Sequence, residues 1–135
     1  MHITIFVYGT WGDIRPHVVL GMALQKAGHE VQVVASPEYE AWVHARNLGF
    51  HPLTYDTNIF IRENASLKDM SVMQQMRVVP KMLNPIMTQM GLETLEATRK
   101  SDVLMTVEFG VGLLFDVIRV NNLKTILINP AHLNP

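Results

Sequence analysis

The sequence predicts an α/β fold: one parallel sheet with strand order 3-2-1-4-5 and helices on both faces. Three observations predict it. Short β-rich runs alternate with longer segments of helical period, the pattern of β-α-β units. The first run, residues 3–8 (ITIFVY), is continuously apolar, as expected of a strand buried on both faces. At 135 residues, 48% hydrophobic and 17% charged, the chain has the size of one domain with a sizeable core.

The elements follow in order. After the first strand comes a Gly-containing turn, then a helix with Pro16 near its first turn, where a missing N–H does no harm. Ile14, Val18, Gly21 and Leu24 recur at spacings of four and three, a face suited to lying on a sheet. Gly28 ends this helix, and residues 31–35 (VQVVA) form the second strand. Pro37 opens a second helix running to about Leu48 with Gly49 as its cap, and residues 50–53 form a third strand. Residues 54–67 show no clean period and read as a long loop. From Asp69 to about Lys100 the pattern is helical but carries Pro80 and Pro85, which predicts two helices or one kinked helix. Residues 103–107 (VLMTV) are a fourth strand, 112–121 a helix and 125–128 a fifth strand.

Right-handed crossovers turn these units into a Rossmann-like, doubly wound sheet. Ligands of such sheets bind beyond the carboxyl ends of the strands, where strand order reverses. Here that point lies between the first and fourth strands, so the loops to read are 9–15 and 108–112.

Composition removes several functions. Lys and Arg total 11 against 12 for Asp and Glu, a net charge of -1, which argues against a nucleic-acid partner. There is no Cys, so disulfides, thiolate metal sites and a Cys nucleophile are excluded together. His2, His17, His29, His44, His51 and His132 are scattered without ligand spacing, so no metal is expected. The longest stretch free of Asp, Glu, Lys and Arg is the first twelve residues, too short for a spanning helix, and it lacks the basic start of a secretory signal. The expected location is cytoplasmic.

The segment Gly9-Thr10-Trp11-Gly12-Asp13-Ile14-Arg15-Pro16 is the most informative. Two glycines allow a sharp turn and close approach of backbone to ligand, and the following helix N-terminus suits a phosphate. Gly9 and Gly12 are two residues apart, so the dinucleotide fingerprint fails, and no Gly-Lys-Ser/Thr follows to make a P-loop. Asp13 reads either as a helix N-cap or as a catalytic or ligand-binding carboxylate.

GTWGDIRP, then a helix ending in AGHEVQVVASPEY, then NLGFHPL, resembles the N-terminal domain of the GT-B glycosyltransferases. The similar branch holds sterol and lipid glucosyltransferases and glycopeptide-antibiotic glycosyltransferases. The resemblance spans residue 3 to about 53 and continues more weakly over 102–130. It implies an inverting transfer of a hexose from a nucleotide sugar, a UDP-sugar by expectation, to a hydroxyl of a lipid, sterol or other apolar acceptor. The donor is a co-substrate, and no cofactor is implied.

In the wider branch this turn reads Gly-His-x-x-Pro and the His is the general base. The matching position is Asp13, and the sterol and antibiotic branch also has Asp there. The resemblance makes Asp13 the base, with Gly9, Thr10, Trp11 and Gly12 lining the floor under donor or acceptor. Glu108 stands where the wider branch places an Asp that orients its catalytic His. Two neighbouring carboxylates would instead share a proton, so Glu108 reads as a catalytic partner, an acceptor hydrogen-bonder or a solvated strand-end residue. His17, one turn beyond Asp13, reads as a ligand contact or as packing. His29 matches a structural His of the family.

Met70, Met73, Met76, Met82, Met87 and Met90 cluster in the region that lines the family's acceptor pocket. Such a stretch lines an adaptable apolar groove, with Met73 and Met76 as acceptor contacts, or it fills core. With Arg77 and Lys81 it could also make a thin peripheral membrane contact. The resemblance implies that residues 1–135 are one Rossmann-like domain, an incomplete acceptor-side half of a truncated enzyme that is inactive without a C-terminal nucleotide-sugar-binding domain. A sheet cut here leaves an edge open to self-association. The alternatives are a non-enzymatic Rossmann-like small-ligand-binding or assembly module, and a folded fragment without activity.

Overall fold

In the computed structural model the strands β1 (His2–Phe6), β2 (Glu30–Ala35), β3 (Gly49–Pro52), β4 (Val103–Thr106) and β5 (Lys124–Leu127) pair in parallel in the order β3-β2-β1-β4-β5. This is the expected order. The structure describes residues 1–128, and the side chains of residues 57, 58, 61, 108 and 109 lie outside that description, as does His132. The register sets Ile5 level with Val33 on one side and Met105 on the other.

Alternate residues of a strand face opposite ways, and each face has its own core. Ile3, Ile5, Val7, Val31 and Val33 pack with Ile14 and Val18 of α1 (Trp11–Lys26) and Val43 of α2 (Glu40–His44). On the other face Phe6, Val34 and Leu104 pack with Met90 of α4 (Val72–Ala97) and with Leu114 and Val117 of α5 (Glu108–Val120). The side of Gly21 lets α1 come close to the sheet: a Cβ there would lie 3.1 Å from Leu48 and 3.3 Å from Ile5.

Several local readings are corrected. Pro16 lies inside α1, because the helix starts at Trp11 with Thr10 as its N-cap. The second helix is a 3-10 turn over Pro37–Tyr39 followed by the short α2, and Asn47, at φ 59°, turns the chain out of it instead of Gly49. The long loop contains α3 (Thr57–Glu63) and a 3-10 turn over Ala65–Asp69. The signal was Asp56, whose Oδ1 accepts the Ile59 N–H at 3.0 Å, an N-cap contact that needs no apolar period. α5 starts four residues early, since Gly110 packs its bare Cα side against Thr106 directly after β4.

α4 is one helix through both prolines. Pro80 and Pro85 remove bonds to the carbonyls of Met76 and Lys81, and both of those residues face solvent, where water replaces the donors. The carboxyl end of α4 is tied to the amino end of the sheet: the Gln32 amide donates to Ala97 O (2.6 Å) and to Thr4 Oγ1 (2.8 Å). A helix of 26 residues is about 39 Å long, whereas strands of four to six residues span about 13–20 Å. The amino-terminal half of α4 therefore extends past the carboxyl edge of the sheet.

Candidate active site

β1 ends at the switch point and delivers Gly9, at φ +139°, into the turn before α1. The absence of a side chain there is required twice. The dihedral is one that other residues rarely adopt, and a Cβ would overlap the Asp13 carboxylate, lying 2.8 Å from its Cγ. Thr10 is extended (φ -96°, ψ -178°) as an N-cap should be. Asp13 occupies the third helical position and reaches back, its Oδ2 accepting the Thr10 N–H at 2.7 Å and the Thr10 hydroxyl at 3.1 Å. This is the acidic half of a capping box, so the cap role falls to Thr10 while Asp13 supports it. Asp13 is exposed, and no donor among the described residues engages its Oδ1.

The other sequence-derived residues separate into four groups. Thr10, Trp11 and Gly12 stand beside Asp13 at the carboxyl edge. Trp11 is partly exposed, with its ring edge-on to Tyr39 (4.7 Å between centroids) and Trp42 (5.4 Å), and Arg15 lies 5.6 Å over its ring. His17 is 1% exposed, and its Nδ1 lies 2.6 Å from the Asp13 carbonyl oxygen, so it belongs to the packing under the turn. Glu108 begins α5 directly beyond β4, while its side chain is outside the described set. Met73 and Met76, 67% and 72% exposed, lie on the overhanging half of α4.

Sequence reasoning passed over Tyr39. It is 2% exposed, and its hydroxyl donates to the Gly9 carbonyl at 3.0 Å. Burial pushes its phenol well above the usual tyrosine range, helped by a side-chain hydrogen bond with Glu38 and by the negative charge of Glu38, Asp56 and Asp13, so the hydroxyl keeps its proton throughout the working pH range. The available signal was its place directly after β2, at the same sheet edge as Gly9. Arg46 completes the cluster, its guanidinium 3.8 Å over the Trp42 ring while donating to Trp42 O at 2.7 Å.

Two grooves lie away from the turn. One of about 350 Å³ runs between α4 and α5 over Gly91 and Gly112, and one of about 1000 Å³ opens at the amino ends of the strands around Gln32. Among the described residues, no group of three His, Asp or Glu could hold a metal ion, and no helix is long and apolar enough to cross a membrane.

Comparison with known proteins gives the geometry a family. Residues 3–122 match the glycosyltransferase family 28 N-terminal domain. A sterol 3-beta-glucosyltransferase of Pichia angusta is 36% identical over 53 residues, 39% of this chain and 4% of that protein. One of Arabidopsis thaliana is 34% identical over 56 residues, 42% of this chain and 9% of that protein. The glycosyltransferase SsfS6 of Streptomyces sp. SF2575, solved with thymidine diphosphate, superposes at a TM-score of 0.63 with 21% identity, over 94% of this chain and 38% of its own. SnogD of Streptomyces nogalater superposes at 0.64 with 16% identity, over 95% of this chain and 33% of its own. The chain thus corresponds to a small part of these relatives' length, and the solved neighbours share its GT-B half-fold. With the family matched across 120 of its 135 residues, the chain belongs to the glycosyltransferase family 28 N-terminal domain family.

Proposed function

We propose that this chain is the acceptor-side part of an inverting glycosyltransferase that moves a hexose from a UDP-sugar to a hydroxyl of a sterol, lipid or other apolar acceptor. Asp13 is the general base. The acceptor oxygen bonds to the anomeric carbon as its proton passes to Oδ1 of Asp13, and the bond from that carbon to the nucleoside diphosphate breaks on the opposite face. The observation that carries this reading is the carboxylate at the switch point, with one oxygen held by Thr10 and the other unengaged among the described residues. Gly9, Thr10, Trp11 and Gly12 form the floor of the site. Glu108 contributes from the start of α5, and Met73 and Met76 line the acceptor wall.

The nucleotide sugar is bound chiefly by a second, C-terminal Rossmann-like domain, and residues 1–135 alone do not transfer sugar. The sterol glucosyltransferase relatives support the acceptor class. The test mixes the chain with a separately expressed nucleotide-sugar-binding domain of its family, UDP-glucose and a sterol, and assays the glucoside by chromatography. Transfer by the pair and by neither part alone is expected, together with a loss of at least about 100-fold in Asp13→Asn. Near-normal turnover in Asp13→Asn would refute the assignment of the base.

A further inference from the structure

We infer that Tyr39 is a positioning residue for Asp13, acting through a single peptide group; this rests on the proposed role of Asp13. The Gly9 carbonyl and the Thr10 N–H belong to one peptide unit. Its oxygen accepts the Tyr39 hydroxyl at 3.0 Å, and its N–H donates to Asp13 Oδ2 at 2.7 Å. The unit is trans, so the two groups point in opposite directions and the hydrogen bonds leave from opposite edges of one rigid plane. Rotating the plane breaks both bonds together.

That plane is intrinsically easy to rotate, because one of its two flanking residues is Gly9, which carries no Cβ to resist a peptide flip. Thr10 is exposed and offers little packing of its own. The restraint comes from Tyr39, whose ring is fixed by burial and by the edge of Trp11. A hydroxyl donating to a carbonyl also polarises the N–H at the other end of the same amide, which strengthens its bond to the carboxylate. The aromatic cluster thus holds Oδ2 in place and leaves Oδ1 for the acceptor. Tyr39 touches neither reacting atom in this scheme; its effect reaches them through the peptide.

Tyr39→Phe removes one oxygen and keeps the ring, so the fold is retained. In the two-domain enzyme, kcat falls about five- to tenfold, the effect of one neutral hydrogen bond. KM for sterol and UDP-glucose stays within about twofold, as expected when an interaction is specific to the transition state. In an Asp13→Asn background, Tyr39→Phe adds nothing to the loss. A second measurement needs no turnover: in the 135-residue chain, exchange of the Thr10 amide proton, followed by NMR, accelerates about fivefold or more in Tyr39→Phe, again the effect of one hydrogen bond. A Thr10 amide that exchanges at the wild-type rate, or a wild-type kcat in Tyr39→Phe, overturns the inference. If Asp13→Asn is inactive and Tyr39→Phe is unaffected, only the role of Tyr39 fails. If Asp13→Asn is active, the base assignment fails and this inference fails with it.

Discussion

The two glycines of the switch-point turn look alike in sequence, and the structure separates them. At Gly9 an alanine would be strained by φ +139°, a cost of about 1–3 kcal/mol. Its Cβ would also overlap the Asp13 carboxylate, and relieving such overpacking costs a further 1–3 kcal/mol or so. At Gly12, inside α1, a Cβ would meet only Thr10 Oγ1, at a comfortable 3.7 Å, and alanine gains about 0.5–1 kcal/mol of helix propensity. Urea unfolding of the two variants should therefore move in opposite directions, Gly9→Ala losing about 2–6 kcal/mol and Gly12→Ala gaining a fraction of one. In the proposed two-domain enzyme Gly9→Ala should also lose turnover beyond its stability loss, because the easiest relief is to rotate the carboxylate away from Thr10. A Gly9→Ala chain within about 1 kcal/mol of wild type would refute the reasoning, since it would mean that neither the dihedral nor the contact constrains the turn.

Further outcomes follow from other parts of the fold. Burial pushes the Glu93 carboxyl up, but bonds from Thr54 and Gln89 and the nearby His51 outweigh it and hold the group below the ordinary glutamate range. The folded state then binds the proton less readily than the unfolded one, so the contribution of Glu93 is present above the unfolded value of about 4.5 and is lost as pH falls through the lower folded one; Glu93→Gln should flatten that acid decline in thermal unfolding. His17→Ala should cost about 2–4 kcal/mol in denaturant unfolding while leaving acceptor KM unchanged, because the ring is buried under the turn. Met73→Glu and Met76→Glu, at exposed sites, should shift stability by no more than about 0.5 kcal/mol yet raise KM for a sterol; an unchanged KM would remove them from the acceptor wall. Ile126 and Leu127 on β5, the edge strand of the sheet among the described residues, are 47% and 54% exposed, and Ile126→Lys should lower any light-scattering mass above that of the monomer.

Much of the fold was legible because its signals are local. The run ITIFVY reads as a doubly buried strand wherever it sits, and Gly28 ends α1 in the left-handed conformation (φ +89°) that its position after Lys26 suggests. The helix boundaries were less legible because tertiary contacts set them. Gly110 against Thr106 starts α5 early, and Asn47 performs the turn that Gly49 was expected to make. At Gly49 the close neighbour is Gln32 of β2, 3.0 Å from a Cβ, so that glycine serves strand packing instead.

The sequence by itself determined the sheet order, the switch point and Asp13 as the carboxylate standing there, because these depend on periodicity and on residues adjacent along the chain. Only the tertiary structure decided what holds that carboxylate and what surrounds it. Tyr39 and Gly9 are thirty positions apart, and their hydrogen bond exists because parallel pairing of β1 and β2 brings the ends of both strands to one edge. The exposure of Met73 and Met76 is likewise a matter of length. A 26-residue helix anchored at the far end of a much shorter sheet must overhang it, whatever residues it carries.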